Sequence, residues 1–104
     1  VCLSGTRLLV HEKIAEAFAE RFAARAAQIV QGDPRDEATQ IGPQIHRVHL
    51  ERVAGFVERA QADGAQIAFG GGPNDELGGL YFRPTLITGA KPGSEILTAE
   101  VFGP

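Results

Sequence analysis

The sequence predicts an α/β fold in which two helices pack on a mostly parallel sheet. Two stretches repeat apolar residues at intervals of three or four, which is the spacing of an amphipathic helix. Short apolar runs of strand length precede or follow these stretches. This alternating order favours parallel strands that are joined by crossover helices.

The first half of the chain predicts a strand and then a long helix. Residues 6–10 form a short apolar run that suits a strand. A helix over residues 12–30 would place five apolar residues on one face, and we expect this face to cover the sheet: Ile14, Phe18, Phe22, Ala26 and Ile29. Gly32 and Pro34 end the pattern, because glycine suits a left-handed cap and proline cannot continue a helix.

The second half predicts another helix and further strands. An apolar stripe at helical spacing runs through residues 44–62: Ile45, Val48, Val53, Phe56, Val57 and Ala60. Residues 65–69 have the length and apolar character of a strand. A strand candidate over residues 80–82 is interrupted and resumes over residues 85–88, so Pro84 should lie at an edge or a bulge.

Composition limits the class of protein. A chain of 104 residues is long enough for one small domain and too short for two. Its net charge of −3 argues against a nucleic-acid partner, because binding phosphates requires a basic surface. No apolar stretch approaches the roughly 20 residues of a membrane span, so we expect no membrane partner. A single cysteine excludes an intrachain disulfide and is compatible with the cytoplasm, where we expect the protein to be.

The two ends of the sequence predict that it is part of something longer. The chain starts at Val1 without an initiator methionine and closes on Val101, Phe102, Gly103 and Pro104. Natural termini are usually polar and mobile, whereas both of these ends are apolar. We therefore expect a fragment.

Cys2 is the side chain of highest intrinsic nucleophilicity, since a thiolate attacks carbonyl carbon readily. A lone cysteine between Val1 and Leu3 is nevertheless more often a small buried hydrophobic residue. The small residues at 4–6 favour a catalytic role, because they let a substrate approach backbone N–H groups closely. Its immediate neighbours leave both interpretations open.

The histidines offer two further hypotheses. His46 and His49 are three residues apart, a spacing that can place two imidazoles on one metal ion. The chain lacks both a His-Glu-x-x-His pattern and a second cysteine, so we predict a solvated helix face and no metal site. A dyad of Cys2 with His11, His46 or His49, as in cysteine hydrolases, stays open.

Two glycine-containing segments differ in what they predict. Residues 70–72 fail the dinucleotide-binding fingerprint, because Asp75 stands where a third glycine is needed, and we predict a turn there. Residues 102–104 join an aromatic ring to glycine and proline, whose special backbone geometry would fix the ring and the nearby Glu100 carboxylate. In an extended segment Glu100 and Phe102 would project to the same side.

Several ordered motifs together point to one family. Residues 1–7 read Val-Cys-Leu-Ser-Gly-Thr-Arg, and residues 100–104 read Glu-Val-Phe-Gly-Pro. Between them lie Gly-Asp-Pro at 32–34, Ile-Gly-Pro at 41–43 and Tyr-Phe-x-Pro-Thr at 81–85. This set, in this order, resembles the NAD(P)-dependent aldehyde dehydrogenase family, with the first motif similar to its nucleophile segment and the last to its cofactor motif. The resemblance covers nearly the whole chain.

The resemblance assigns roles to five residues. Cys2 would attack an aldehyde carbon, and the resulting thiohemiacetal would pass hydride to NAD or NADP and leave a thioester for water to hydrolyse. Glu100 would accept hydrogen bonds from the nicotinamide ribose, and Phe102 would pack near the nicotinamide ring. His49 and Arg52 fall at positions from which the family reaches the cofactor ribose, although Gln and Lys are commoner there.

The resemblance also implies that much of the enzyme lies outside this chain. The family's general-base Glu, its oxyanion Asn and most of its dinucleotide-binding residues belong to segments not found here. We therefore expect residues 1–104 to be a single fragment of a catalytic domain, inactive alone, from a homo-oligomeric enzyme that oxidises a small-molecule aldehyde. A non-enzymatic α/β interaction module and a Cys/His hydrolase are the alternatives.

Overall fold

The computed structural model describes residues 3–104 as three helices and one pair of strands. In chain order these are α1 (Glu12–Ala26), α2 (Arg47–Ala62), β1 (Gln66–Phe69), β2 (Leu86–Thr88) and the short α3 (Glu95–Thr98). The predicted α/β class is confirmed. None of the helices in this part of the chain combines the length and the apolar character needed to cross a membrane.

Helix α1 begins where predicted but ends four residues earlier. Its N-cap is His11, whose Nδ1 accepts a hydrogen bond of 3.2 Å from the backbone N–H of Lys13. Beyond the helix, the backbone N–H of Gln40 donates to the Val30 carbonyl at 2.8 Å. The Gln40 side chain in turn accepts from the N–H of Val30. Val30 is therefore held by this loop and cannot continue the helix.

Helix α2 begins at Arg47, three residues later than predicted. The backbone N–H of Gln44 donates to the Leu80 carbonyl at 2.7 Å, which ties this residue to a distant loop. His46 is the N-cap, and its Nδ1 accepts from the backbone N–H of His49 at 3.1 Å. The predicted end at residue 62 is confirmed, and Gly64, with φ of +97°, follows it.

Strands β1 and β2 pair antiparallel, with Ile67 opposite Ile87 and an irregularity in register before Phe69. This direction differs from the mostly parallel sheet that the sequence predicts. The difference arises because the connection over residues 70–85 contains no helix, and a parallel pair requires a crossover of that kind. Gly70 begins the reversal with φ of +72°, and a Cβ there would overlap the Pro84 carbonyl oxygen.

Two predicted strands do not form in the described structure. Residues 6–10 are assigned to no strand, and of residues 80–82 only Phe82 pairs, in an isolated bridge with Pro73. An apolar run becomes a strand only where another strand supplies hydrogen bonds, and none is available to residues 6–10 within residues 3–104. Pro84 lies two residues before β2, outside the ladder.

The core lies where α2 meets the strand pair and the preceding loop. Its buried members are Leu50, Val53, Val57 and Phe82, with Phe82 only 1% exposed. The predicted apolar stripe of α2 is confirmed from Val53 onwards, whereas Ile45 and Val48 are exposed. Helix α2 therefore supplies three of these four buried residues.

The apolar stripe of α1 does not cover the sheet as predicted. Ile14, Phe18 and Phe22 remain 57%, 37% and 40% exposed. Helix α1 contacts β1 and shares with Ala68 a groove lined by its small residues: Ala15, Ala19 and Ala23. The larger apolar residues of α1, Ile14, Phe18 and Phe22, do not line this groove.

Candidate active site

An irregular segment follows α3, and α2 holds its backbone carbonyls. The Arg52 guanidinium donates from Nη2 to the Glu100 carbonyl at 2.9 Å and from Nη1 to the Val101 carbonyl at 2.7 Å. His49 Nε2 lies 2.8 Å from the Phe102 carbonyl oxygen. Because a carbonyl only accepts, Nε2 carries the proton in this pair. Three consecutive carbonyls are thus bound by two side chains that lie three residues apart on one helix.

Arg7 binds the same stretch of backbone from the other end of the chain. Its Nε donates to the Leu97 carbonyl at 2.6 Å and its Nη2 to the Ala99 carbonyl at 3.0 Å. Ala99 is the residue immediately before Glu100, and Arg7 is five residues after Cys2. We call Arg7, His49 and Arg52 the carbonyl clamp. It joins the N-terminal segment, α2 and residues 97–102.

The end of this segment is fixed by the core. A Cβ on Gly103 would lie 2.5 Å from Val53 Cγ1, so the backbone rests directly on a buried side chain. The Thr85 N–H donates to the Pro104 carbonyl at 3.1 Å. Between these anchors Phe102 has φ of +60°, the left-handed conformation that an aromatic residue rarely adopts. The expectation that Glu100 and Phe102 lie in an extended segment is therefore wrong at Phe102.

The side chains of this segment remain available to a ligand. Phe102 is 51% exposed, and the Glu100 carboxylate has no hydrogen-bond partner among the described residues. A carboxylate offers acceptors for hydroxyl groups, and an exposed aromatic ring offers an apolar face. The clamp immobilises the backbone that carries both groups while leaving both of them exposed.

Phe56 and Glu95 support the arginines of α2. The guanidinium carbons of Arg52 and Arg59 lie 4.9 and 5.0 Å from the centroid of the Phe56 ring, within cation–π distance. Arg59 also forms an ion pair with Glu95 of α3, with Nε 2.6 Å from Oε2. This hydrogen bond from Arg59 lowers the pKa of the Glu95 carboxyl below its ordinary value and raises that of Arg59.

The structure gives the histidines structural tasks. His11 and His46 cap helices, and His49 binds the Phe102 carbonyl. Within residues 3–104 no three His, Cys, Asp or Glu side chains are grouped so as to hold a metal ion. Cys2 lies outside the described residues, so the structure does not test the Cys/His dyad directly. Each proposed partner of Cys2 nevertheless already has a hydrogen bond elsewhere.

Arg7 is the residue that sequence reasoning misses. Its partners, Leu97 and Ala99, are 90 and 92 residues away in the chain. No periodicity or short motif connects positions so far apart. Glu100, Phe102, His49 and Arg52, by contrast, were all expected at one site, and the structure brings their backbones or side chains together.

Comparison with known proteins shows which family the chain belongs to. The family model described as "Aldehyde dehydrogenase family" matches residues 1–104, the whole chain. The chain belongs to the aldehyde dehydrogenase family. The predicted aldehyde-dehydrogenase-like fold is likewise confirmed by the solved structures of the family that superpose on it.

Individual relatives show how much of such a protein this chain represents. The betaine aldehyde dehydrogenase of Brucella anthropi is 40% identical over 107 residues, and betaine aldehyde dehydrogenase 1 of Rhizobium meliloti is 42% identical over 106. The crystal structure of the Staphylococcus aureus betaine aldehyde dehydrogenase in complex with NAD+ matches 99% of the chain with a TM-score of 0.92 and 37% identity. The chain spans 22% of the first two relatives and 21% of the third.

The close contact at Gly103 yields a stability prediction. Gly103→Ala should lower the free energy of unfolding by about 1–3 kcal/mol, because the added methyl group collides with a core residue that cannot easily move. Gly72→Ala is the matched control, since a Cβ at Gly72 meets nothing within 4 Å. We expect the control to stay within about 0.5 kcal/mol. Urea unfolding followed by circular dichroism measures both, and equal effects would contradict the close packing.

The Arg59–Glu95 pair yields a prediction about pH. The pKa of folded Glu95 is below its ordinary 4.5, so the pair stabilises the fold above that pH and loses its effect as the pH falls through the folded value. Glu95→Gln should therefore show a shallower loss of stability than the wild type on acidification below about pH 5. Thermal unfolding midpoints at a series of pH values test this. Parallel curves for the two proteins would show that the pair contributes nothing measurable, as many exposed pairs do.

Proposed function

We propose that the chain is part of the catalytic domain of an enzyme that oxidises an aldehyde to a carboxylic acid with NAD or NADP. The observation that carries this proposal is the carbonyl clamp. Arg7, five residues after Cys2, donates to the carbonyl of Ala99, the residue before Glu100, and this contact between the two predicted motifs supports the proposal. The NAD+ bound to the Staphylococcus aureus relative supports the choice of cofactor.

Cys2 supplies the nucleophile in this proposal. Its thiolate adds to the aldehyde carbon and forms a thiohemiacetal, whose oxygen carries the developing charge. The backbone N–H of Cys2 donates to that oxygen, where a fixed donor contributes most to the rate. After the hydride has left the carbon, the product is a thioester on Cys2, and water then releases the acid and restores the thiol.

The exposed groups of residues 100–102 fit a nicotinamide ribose. The Glu100 carboxylate can accept hydrogen bonds from two ribose hydroxyls, since each of its oxygens has free lone pairs. The Phe102 ring, half exposed on a backbone of unusual conformation, offers a face for an aromatic ring. The bound nicotinamide supplies the hydride acceptor. Glu100 and Phe102 would restrict the position of the bound nicotinamide.

His49 and Arg52 contribute to the same cofactor site. Their donors already bind the carbonyls of residues 100–102, so their contribution includes fixing Glu100 and Phe102 beside the cofactor. Histidine and arginine replace the Gln and Lys that are commoner in the family. The forked guanidinium suits this position, because it binds two neighbouring carbonyls at once.

The whole enzyme that we propose is larger than this chain. Residues 1–104 form one piece of its catalytic domain, and the general base and most of the dinucleotide-binding residues belong to other segments. We propose a cytoplasmic homo-oligomer that acts on a small aldehyde and has neither nucleic acid nor membrane as a partner. The chain alone, without these segments, should produce no NADH from any aldehyde.

The role of Cys2 is tested in the full-length protein that carries this chain. Cys2→Ala should abolish NADH production from NAD+ and betaine aldehyde, or from a simple aliphatic aldehyde, while NAD+ still binds. Arg25→Ala, on the surface of α1, is the control and should retain turnover. Retained turnover in Cys2→Ala, or no turnover in the wild type with any aldehyde or either cofactor, would refute the proposed function. Protection of Cys2 from iodoacetamide by the aldehyde provides independent support.

Glu100→Gln tests the cofactor motif. We expect hydride transfer to slow by roughly ten- to a hundredfold, since a hydrogen bond to a charged group contributes about 1.5–3 kcal/mol. Overall affinity for NAD+ should change less, because the adenosine half and the pyrophosphate bind elsewhere. Single-turnover formation of NADH measures the step. A wild-type rate would remove Glu100 from the site.

A further inference from the structure

The Arg7 side chain connects residues 3–10, which follow the proposed nucleophile Cys2, to a distant part of the described chain. Among the hydrogen bonds of residues 3–104, those that link residues 3–10 to distant parts of the fold all come from Arg7. Packing within the described chain is uneven along this segment: Leu3 and Leu9 are 96% and 102% exposed, whereas Leu8 is 50% exposed and Val10 is half-buried. Within residues 3–104, the hydrogen bonds that connect this segment to the backbone before Glu100 therefore come from one guanidinium.

The geometry at Arg7 is specific to an arginine. Nε and Nη2 donate along one edge of the planar group to the carbonyls of Leu97 and Ala99, two residues apart. A lysine carries the same charge but has a single donor atom at the end of a flexible chain. Its three N–H groups could donate to one or both carbonyls, but the flexible ammonium would not fix the orientation of the two carbonyls relative to each other.

We propose that Arg7 is a positioning residue that sets the distance between the Cys2 sulfur and the nicotinamide site at Glu100 and Phe102. This inference rests on the proposed function. Arg7 touches neither substrate nor cofactor in this role. It acts through the backbone, with Cys2 five residues before it and Glu100 one residue after the Ala99 carbonyl that it binds.

The proposal separates two chemical steps that Cys2 performs. Attack of the thiolate on an electrophile needs only the sulfur and its immediate surroundings. Hydride transfer also needs the thiohemiacetal carbon close to the nicotinamide, and a misplacement of about 1 Å can cost roughly a hundredfold in rate. Loss of Arg7 should therefore slow hydride transfer and leave the intrinsic reactivity of Cys2 unchanged.

The experiment compares Arg7→Met, Arg7→Lys and Arg47→Met in the full-length protein. Arg47 is the matched control, because its guanidinium also donates to a distant carbonyl, that of Gly79, at 3.3 Å, away from the proposed site. Hydride transfer is measured as single-turnover NADH formation, with ordinary and aldehyde-deuterated substrate. Cys2 reactivity is measured as the rate of alkylation by iodoacetamide over a range of pH.

We expect Arg7→Met to slow hydride transfer about tenfold or more, with a full deuterium isotope effect. Alkylation should stay within about twofold of the wild type, with an unchanged pH profile. The hydride-transfer rate of Arg7→Lys should lie between those of the wild type and Arg7→Met. The rate of Arg47→Met should match the wild type. If Arg7→Met does not fold, Arg7→Lys decides, because a wild-type hydride-transfer rate would show that the forked pair is not needed.

Three results would overturn the inference. The first is a wild-type rate of hydride transfer in Arg7→Met. The second is an equal loss in Arg47→Met, which would indicate a general loss of stability. The third is a shift in the pH profile of alkylation, which would mean that the charge of Arg7 activates the thiol instead. In all three the wild type still oxidises aldehydes and Cys2→Ala does not, so the proposed function would survive and only the role of Arg7 would fail.

Discussion

The binding of backbone carbonyls by charged or polar side chains is the interaction on which the candidate site depends. Residues 99–104 belong to no helix or strand, so their carbonyls lack the partners that regular structure would give. The carbonyl clamp of Arg7, His49 and Arg52 replaces those partners, from Leu97 to Phe102. Such a segment keeps a single conformation without forming an element, and its side chains remain free.

The clamp also accounts for the unusual backbone at Phe102. A left-handed conformation costs an aromatic residue about 1–2 kcal/mol. A hydrogen bond contributes about 0.5–1.5 kcal/mol net, and the carbonyls of residues 100–102 accept three from His49 and Arg52. Together with the seating of Gly103 on Val53, these bonds offset the cost. Strain that is held in this way is typical of functional sites, where the geometry of a few side chains matters more than local stability.

Helix α2 links the core to the candidate site, because one of its faces packs in the core and another binds the backbone of residues 100–102. One face supplies Val53 and Val57 to the core, and Val53 also supports Gly103. Another presents His49 and Arg52 to the carbonyls of residues 100–102, and further along Arg59 binds Glu95 just before that segment. A change in the packing of α2 would therefore be transmitted directly to the backbone of residues 100–102.

The sequence by itself determined the helices, the family and the residues of the motifs. The 3.6-residue period predicted α2 from Val53 to its end, and the ordered motifs, with Glu-Val-Phe-Gly-Pro at residues 100–104 among them, pointed to the family. These features are local, so a window of a few residues contains the whole signal. The glycine-rich turn at residues 70–72 was predictable for the same reason.

Only the tertiary structure decided the ends of the helices, the direction of the strand pair and the partners of the clamp. Helix α1 stops at Ala26 because Val30 bonds to Gln40, and the strands run antiparallel because no helix connects them. Arg7 meets the Leu97 and Ala99 carbonyls across more than 90 positions only after folding. Hydrogen bonds between distant segments depend on the path of the chain in space, and no periodicity in the sequence records that path.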